Sequence, residues 1–384
     1  MERLKKLVFQ VFASLVSILV TFIVLEIAAQ VALNCFAGER TFRKYASLRQ
    51  LQKRYAQVGQ CWSPHRYLGH YATPYYQKGL NRHNSLGYRG DEIQMPKPAG
   101  RQRIVCTGGS TTYTTEVEDY HLSYPALLEQ ELRSRGYDVD VVNDGVGSWT
   151  SWESLVSFEF RTQYLEPDII ILYHGVNDVL QRMVWPPEAY RGDNSGTHTP
   201  ILMPMPSILE YSTLMRYFMI RAGVIKSHSS MDRHVTAPAK TFYLDEFVRQ
   251  KRAGTYPEGF FREVSARKMF ETNKPVYFRR NIENNIELAK SRNVKTVLAT
   301  FAYSSDFPYF PTASSEEFIS AHAEMNETLK EIARQTGASL FDFALVFPKD
   351  KCYFTDGIHV NAEGSALKAK LFADYLIETG LVKK

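Results

Sequence analysis

Two spacings of apolar residues alternate along most of this chain. Ile104-Val105-Cys106-Thr107 is a short run that ends in glycines, and apolar residues at helical spacing follow over about 124–135. Residues 139–142 predict a second strand and 152–164 a second helix. Ile169, Ile170, Ile171 and Leu172 are apolar without a break, as in a strand buried on both faces. A strand at 294–301, a helix at about 315–335, a strand at 339–344 and a final helix at about 362–378 complete the series. Strands alternating with helices predict a parallel sheet covered on both sides, with any active site beyond the carboxyl ends of the strands.

Three stretches break the pattern. Leu7 to Leu25 is a run of 19 residues without a charge, and apolar residues continue through Ile27, Val31 and Leu33 to Phe36. That is long enough to cross a bilayer as a helix and longer than the apolar core of a secretory signal peptide. Residues 1–36 therefore read as a transmembrane anchor. Arg3, Lys5 and Lys6 ahead of the run favour a cytoplasmic N-terminus and an exported body, although the basic residues from Arg40 to Arg54 count toward the opposite orientation. Glu26 and Gln30 share one helix face near the far end, where they mark a partner helix or reach the interface. Residues 37–102, rich in Tyr, Arg, Gly and Pro, read as an extended stalk packing on the domain. Residues 181–275 read as an insertion over the active-site edge, with helical pieces near 208–220 and 244–252.

Composition narrows the class further. Over 384 residues, 44% are hydrophobic and 23% charged, which excludes a wholly disordered chain. The net charge of +5 is mild and no basic block is joined to aromatic residues, so nucleic acid is not an expected partner. Cys35, Cys61, Cys106 and Cys352 have no metal-ligand spacing. Cys61 and Cys352 are the pair that an oxidising compartment would allow to join, if their Cα atoms came close. His65, His70, His83 and His174 have no ligand spacing to one another and read as surface or hydrogen-bonded core residues. No phosphate loop is present, and nothing implies a metal or cofactor.

Four blocks remain: Gly108-Gly109-Ser110-Thr111, Asn143-Asp144-Gly145-Val146-Gly147, Gly175-Val176-Asn177-Asp178 and Asp356-Gly357-Ile358-His359. Each falls just after a predicted strand or just before a predicted helix, at the edge where such folds place chemistry. Ser110 is a candidate nucleophile. Asp356 and His359, three apart, let a carboxylate hold an imidazole tautomer so that the other ring nitrogen can take the serine proton. Asn177 can donate to an oxyanion, while Asp178 reads as a helix cap.

Together the blocks resemble the SGNH (GDSL-like) hydrolase family, whose name records the Ser, Gly, Asn and His within them. The resemblance runs from about Arg103 to Leu376 and implies a flavodoxin-like three-layer α/β fold with a parallel sheet, here carrying an N-terminal transmembrane helix and a helical insertion. It implies residues 103–384 as the hydrolase domain and Ser110, Asp356 and His359 as the triad. Asn177 would donate to the oxyanion together with a backbone N–H at Gly147 or Ser148. The family usually has Gly-Asp-Ser where this chain has Gly108-Gly109-Ser110. The GxSxG signature of other serine hydrolases is absent, because Thr112 stands at its second glycine.

The expected reaction is ester hydrolysis through an acyl-enzyme, on the O-acyl group of a glycan or on a small ester. Transfer of the acyl group to an envelope polysaccharide is the alternative within the same chemistry, and a non-catalytic glycan-binding scaffold the alternative outside it. Trp185, Tyr211 and Tyr217 of the insertion are candidates for a substrate-facing wall, and residues 7–36 for membrane contact.

Overall fold

The computed structural model describes residues 2–55, 60–65, 67–193, 208–225, 227, 242–307 and 315–384. The chain divides into two compact units, one formed by Met1–Gln60 with Pro200–Val235, the other by Cys61–Thr199 with Thr236–Lys384. The 37–102 stretch is thus split at Gln60. The insertion is split too, because its middle belongs with the N-terminal helix.

The second unit is built on five parallel strands: β1 (Gln102–Gly108), β2 (Val139–Gly145), β3 (Ile169–Tyr173), β4 (Lys295–Ala299) and β5 (Ser339–Phe341). Their order across the sheet is β5-β4-β3-β1-β2, the flavodoxin-like arrangement, with its switch point between β1 and β3. Side chains alternate between faces along a strand, so the unbroken run in β3 divides. Ile169 and Ile171 join Ile104, Cys106, Val297 and Ala299 under helices Tyr124–Ser134 and Ala362–Glu378. Ile170 and Leu172 join Leu298 on the other face, under helices Val276–Ser291 and Glu316–Thr336. Both faces of β3 are covered, which is why that strand carries no polar alternation.

Register places the site. Gly108 lies opposite Gly145 on one side and Tyr173 on the other. The segments leading to Ser110, to Gly147 and to Asn177 therefore leave the sheet from one line across three neighbouring strands.

In the first unit, helix Glu2–Val31 has no buried residue and an apolar stretch long enough to cross a membrane. It continues into a π-helical turn, Ala32–Phe36, whose Leu33 packs with Phe42, Tyr45 and Ala46. Helix Thr213–Arg221 of the insertion supplies Ile220 to the same cluster.

Candidate active site

Ser110 is the first residue of a one-turn helix, Ser110–Tyr113, directly after β1. The turn is too tight for side chains on its glycines. A Cβ on Gly108 would stand 2.5 Å from the carbonyl oxygen of Tyr173, and one on Gly145 would stand 2.1 Å from the backbone nitrogen of Tyr113. Buried groups hold the turn from outside. Arg89 donates to the carbonyls of Tyr113 (2.5 Å), Thr114 (3.0 Å) and Val117 (2.6 Å). Lys368 donates to the Thr111 carbonyl at 3.2 Å, with its ammonium over the rings of Tyr124 and Tyr173. The Tyr113 hydroxyl lies 2.9 Å from His83 Nε2 and 3.0 Å from Asn81 Oδ1. These contacts leave Ser110 half-buried, with its side chain directed at one neighbour.

That neighbour is His359, whose Nε2 lies 2.8 Å from Ser110 Oγ. On the far side of the ring, Nδ1 lies 2.7 Å from Asp356 Oδ2. A carboxylate only accepts, so Nδ1 carries the proton and Nε2 has the lone pair that the serine hydroxyl meets. Asp356 is fixed in turn, because its Oδ1 accepts from the backbone N–H groups of Ile358 (3.0 Å) and His359 (2.9 Å). Partial burial pushes the Asp356 carboxyl up, but the hydrogen bonds from His359 and the Ile358 N–H, with the charge His359 carries when protonated, outweigh it, and the net shift is below the ordinary carboxylate value. The loop is closed by Asn361, which caps the last helix through the Gly364 N–H at 2.9 Å and donates to the Cys352 carbonyl at 2.6 Å.

Asn177 sits in the first turn of helix Val176–Gln181, after β3, and donates from Nδ2 to the Trp149 carbonyl at 2.8 Å. The bond uses one amide hydrogen and leaves the second. The same Nδ2 hangs over the nucleophile turn, only 2.5 Å from where a Cβ on Gly109 would be. Asp178 points the other way and accepts from the N–H and hydroxyl of Ser151, so its carboxylate ties its own helix to the first residue of helix Ser151–Phe160, which Thr150 caps.

The loop after β2 carries Gly147 and Ser148. Ser148 has a left-handed φ of 65°, unusual for a residue with a side chain. His70 fixes the loop by donating from Nε2 to the Gly147 carbonyl at 2.7 Å, and Trp149 donates from its indole to the His70 carbonyl at 2.9 Å. Among the described residues, the Gly147 N–H has no hydrogen-bond acceptor.

Sequence reasoning missed Trp62. It lies in a hairpin, Trp62–His65 with Gly69–Ala72, and its ring covers Gly147 so closely that a Cβ there would be 3.2 Å from Cζ2. Its edge meets Tyr113 of the nucleophile turn, with ring centroids 4.9 Å apart. A lone tryptophan ahead of the first strand has no local signal for this placement. Of the aromatic residues expected from the insertion, Trp185 is partly buried against the core and lies under the Lys268 ammonium. Tyr211 and Tyr217 belong to the unit that contains the N-terminal helix. All four cysteines are free thiols, including Cys61 and Cys352. Among the described residues no cluster of His, Cys, Asp or Glu could hold a metal ion.

A parallel α/β sheet whose carboxyl edge presents a serine, an imidazole and a carboxylate in hydrogen-bonded series defines a hydrolase of the serine type. Residues 106–367 match the GDSL-like Lipase/Acylhydrolase family. The chain belongs to that family and is an enzyme of ester bonds. Among solved structures it is similar to the lipase/acylhydrolase from Enterococcus faecalis, with 16% identity over 73% of this chain and 97% of that one (TM-score 0.41). It is also similar to a GDSL-like lipase from Bacteroides thetaiotaomicron, with 14% identity over 72% of this chain and 89% of that one (TM-score 0.39). A third similar structure is an acetyl xylan esterase, with 14% identity over 71% of this chain and 99% of that one (TM-score 0.39). No curated protein matches in sequence.

Proposed function

We propose that the protein is a membrane-anchored serine esterase that removes an O-acyl group from a glycan or a small ester through an acyl-enzyme. One observation carries this reading: the continuous series Ser110 Oγ, His359 Nε2, His359 Nδ1 and Asp356 Oδ2, with contacts of 2.8 and 2.7 Å. In the first half-reaction Ser110 Oγ forms a bond to the ester carbonyl carbon as its proton passes to Nε2. The free hydrogen of Asn177 Nδ2 and the Gly147 or Ser148 N–H hold the oxyanion. Collapse expels the alcohol, which takes the proton from Nε2. Water then repeats the sequence on the acyl-enzyme, giving up its proton to Nε2 and releasing the carboxylic acid and free Ser110. Asp356 stays ionised throughout and stabilises the imidazolium.

The substrate reading rests on the setting. The site lies at the carboxyl edge of the sheet with the Trp62 indole over Gly147, a surface on which a sugar ring can stack, and helix Glu2–Val31 would hold it at a membrane surface. The test is a fluorophosphonate label followed by peptide mapping, together with a screen of acetylated glycans and short p-nitrophenyl esters. Labelling at Ser110 that disappears in Ser110→Ala, with turnover lost in both Ser110→Ala and His359→Ala, is the expected result. Unlabelled wild-type protein would instead return the non-catalytic scaffold reading.

A further inference from the structure

We infer that the middle of the insertion is a second lipid-contacting element, seated on the bilayer surface beside the anchor by Glu26. This rests on the reading of the N-terminal helix as a membrane span. Within that helix, Lys5 and Lys6 precede an uncharged stretch of 19 residues. At about 1.5 Å per residue it measures roughly 28 Å, close to the thickness of a hydrocarbon core. Glu26 is the next residue, so it falls at the far boundary of the core.

A carboxylate at that depth needs partners. Gln30 donates one hydrogen bond from the same helix, at 2.9 Å. The others come from the insertion: Ser212 Oγ at 2.7 Å, the Thr213 N–H at 2.7 Å and the Leu214 N–H at 3.0 Å. Glu26 thus caps helix Thr213–Arg221, and the favourable end of the helix dipole faces its charge. A second clamp sits one turn further on, where buried Arg216 donates to the carbonyls of Tyr45 and Ala46 and pairs with Glu210. The helix therefore has a fixed height on the anchor, and that height is the boundary.

What it presents there suits lipid. Ile208 is 85% exposed, Tyr211 78%, Phe218 58% and Val224 66%, although all are apolar or aromatic. An apolar groove of about 310 Å³ runs along the junction, between Ala29, Leu33 and Tyr45 of one segment and Leu214, Tyr217 and Phe218 of the other. In water such a surface is unfavourable. At the acyl–headgroup boundary, aromatic and aliphatic side chains of this kind are in their preferred medium. The occupant is an acyl chain of a bilayer phospholipid, continuous with the lipid that surrounds the anchor.

The test uses the full chain in vesicles of phosphatidylethanolamine and phosphatidylglycerol. A benzophenone amino acid replaces Leu15 in one sample and Phe218 in another, and phospholipid adducts are read by mass spectrometry after irradiation. Adducts at both positions are expected. In Glu26→Ala the adduct at position 218 should fall several-fold while that at 15 is unchanged. An adduct at 15 with none at 218 overturns the inference and leaves the anchor standing. Absence at both overturns anchor and inference together. An unchanged yield at 218 in Glu26→Ala overturns the role given to Glu26.

Discussion

Asn177 occupies the space that a side chain on residue 109 would need, with Nδ2 at 2.5 Å from an ideal Cβ on Gly109. The acidic residue common to the related motif and an asparagine in this pose exclude each other here. Gly109→Ala is expected to push Asn177 away from the Trp149 carbonyl. If the amide is the oxyanion donor, kcat should fall on the order of 100-fold, and Gly109→Asp should do at least as much. Asn177→Ala should match the loss, and the double variant Gly109→Ala/Asn177→Ala should lose no more than either. Steady-state kinetics on a p-nitrophenyl ester decide it, because additive losses would show that the two residues act separately.

Trp62 covers Gly147 and touches Tyr113, so its indole borders the space that a bound ester would use. Trp62→Ala is expected to raise KM for acetylated glycans, by roughly the 1 kcal/mol range of an aromatic contact, while the rate of fluorophosphonate labelling changes little. Equal losses in both assays would show that the indole supports the nucleophile turn and does not select substrate.

Asp178 gives a pH signature distinct from the triad's. Burial pushes its carboxyl up to about 7, against the hydrogen bonds from Ser151 that pull it down. Between the unfolded value near 4 and the folded value, the folded state binds the extra proton, so stability falls as pH rises through that window. Asp144, pushed up by burial to about 6, acts in the same sense lower in the range. From pH 6 to 7.5 the buried histidines His83, His174 and His322, pushed down by burial to about 4, 3 and 3, act in the opposite sense. The Asp178 contribution is therefore read in urea unfolding as the difference between wild type and Asp178→Asn, a loss of about 1 kcal/mol across the interval. Asp178→Asn should leave the steeper rise of stability with pH that the histidines set, and an unchanged slope would show that Asp178 does not titrate there. Asp356, whose carboxyl is shifted down, contributes in the opposite sense and only at acid pH.

The anchor predicts fractionation with membranes and release of soluble protein when residues 1–36 are removed. A reporter fused after Lys384 should score as extracytoplasmic. A cytoplasmic score would mean that the basic residues from Arg40 to Arg54 had set the orientation.

The sheet was legible because β1, β3 and β4 each carry an apolar run and the helices packed on the sheet, other than Val276–Ser291, keep their period. Helix Val276–Ser291 was not legible. Its buried face includes Asn281 and Asn285 among Phe278, Ile282, Ile286 and Ala289, and two amides in the stripe erase the apolar signal. Asn281 is buried because it donates to Ser151 Oγ at 3.1 Å, a partner 130 residues away that no local pattern announces. The blocks around Ser110, Asn177 and His359 were legible because their chemistry is local to each loop. Trp62, Arg89 and Lys368 were not, since each acts on the nucleophile turn from a distant part of the chain. The partner of Glu26 was also hidden, because helix Thr213–Arg221 comes from an insertion whose destination no spacing reveals.

Arg89 binds the carbonyls that follow Ser110, yet it precedes the first strand of the sheet. The module that recombination or design could move between proteins therefore does not start where the recognisable α/β pattern starts. Cut at residue 102, the sheet would keep its strands and its triad residues but would lose the guanidinium that shapes the serine's turn and the indole that covers Gly147. The smallest piece that carries the whole reactive turn therefore begins near Cys61, at the seam where the two compact units divide.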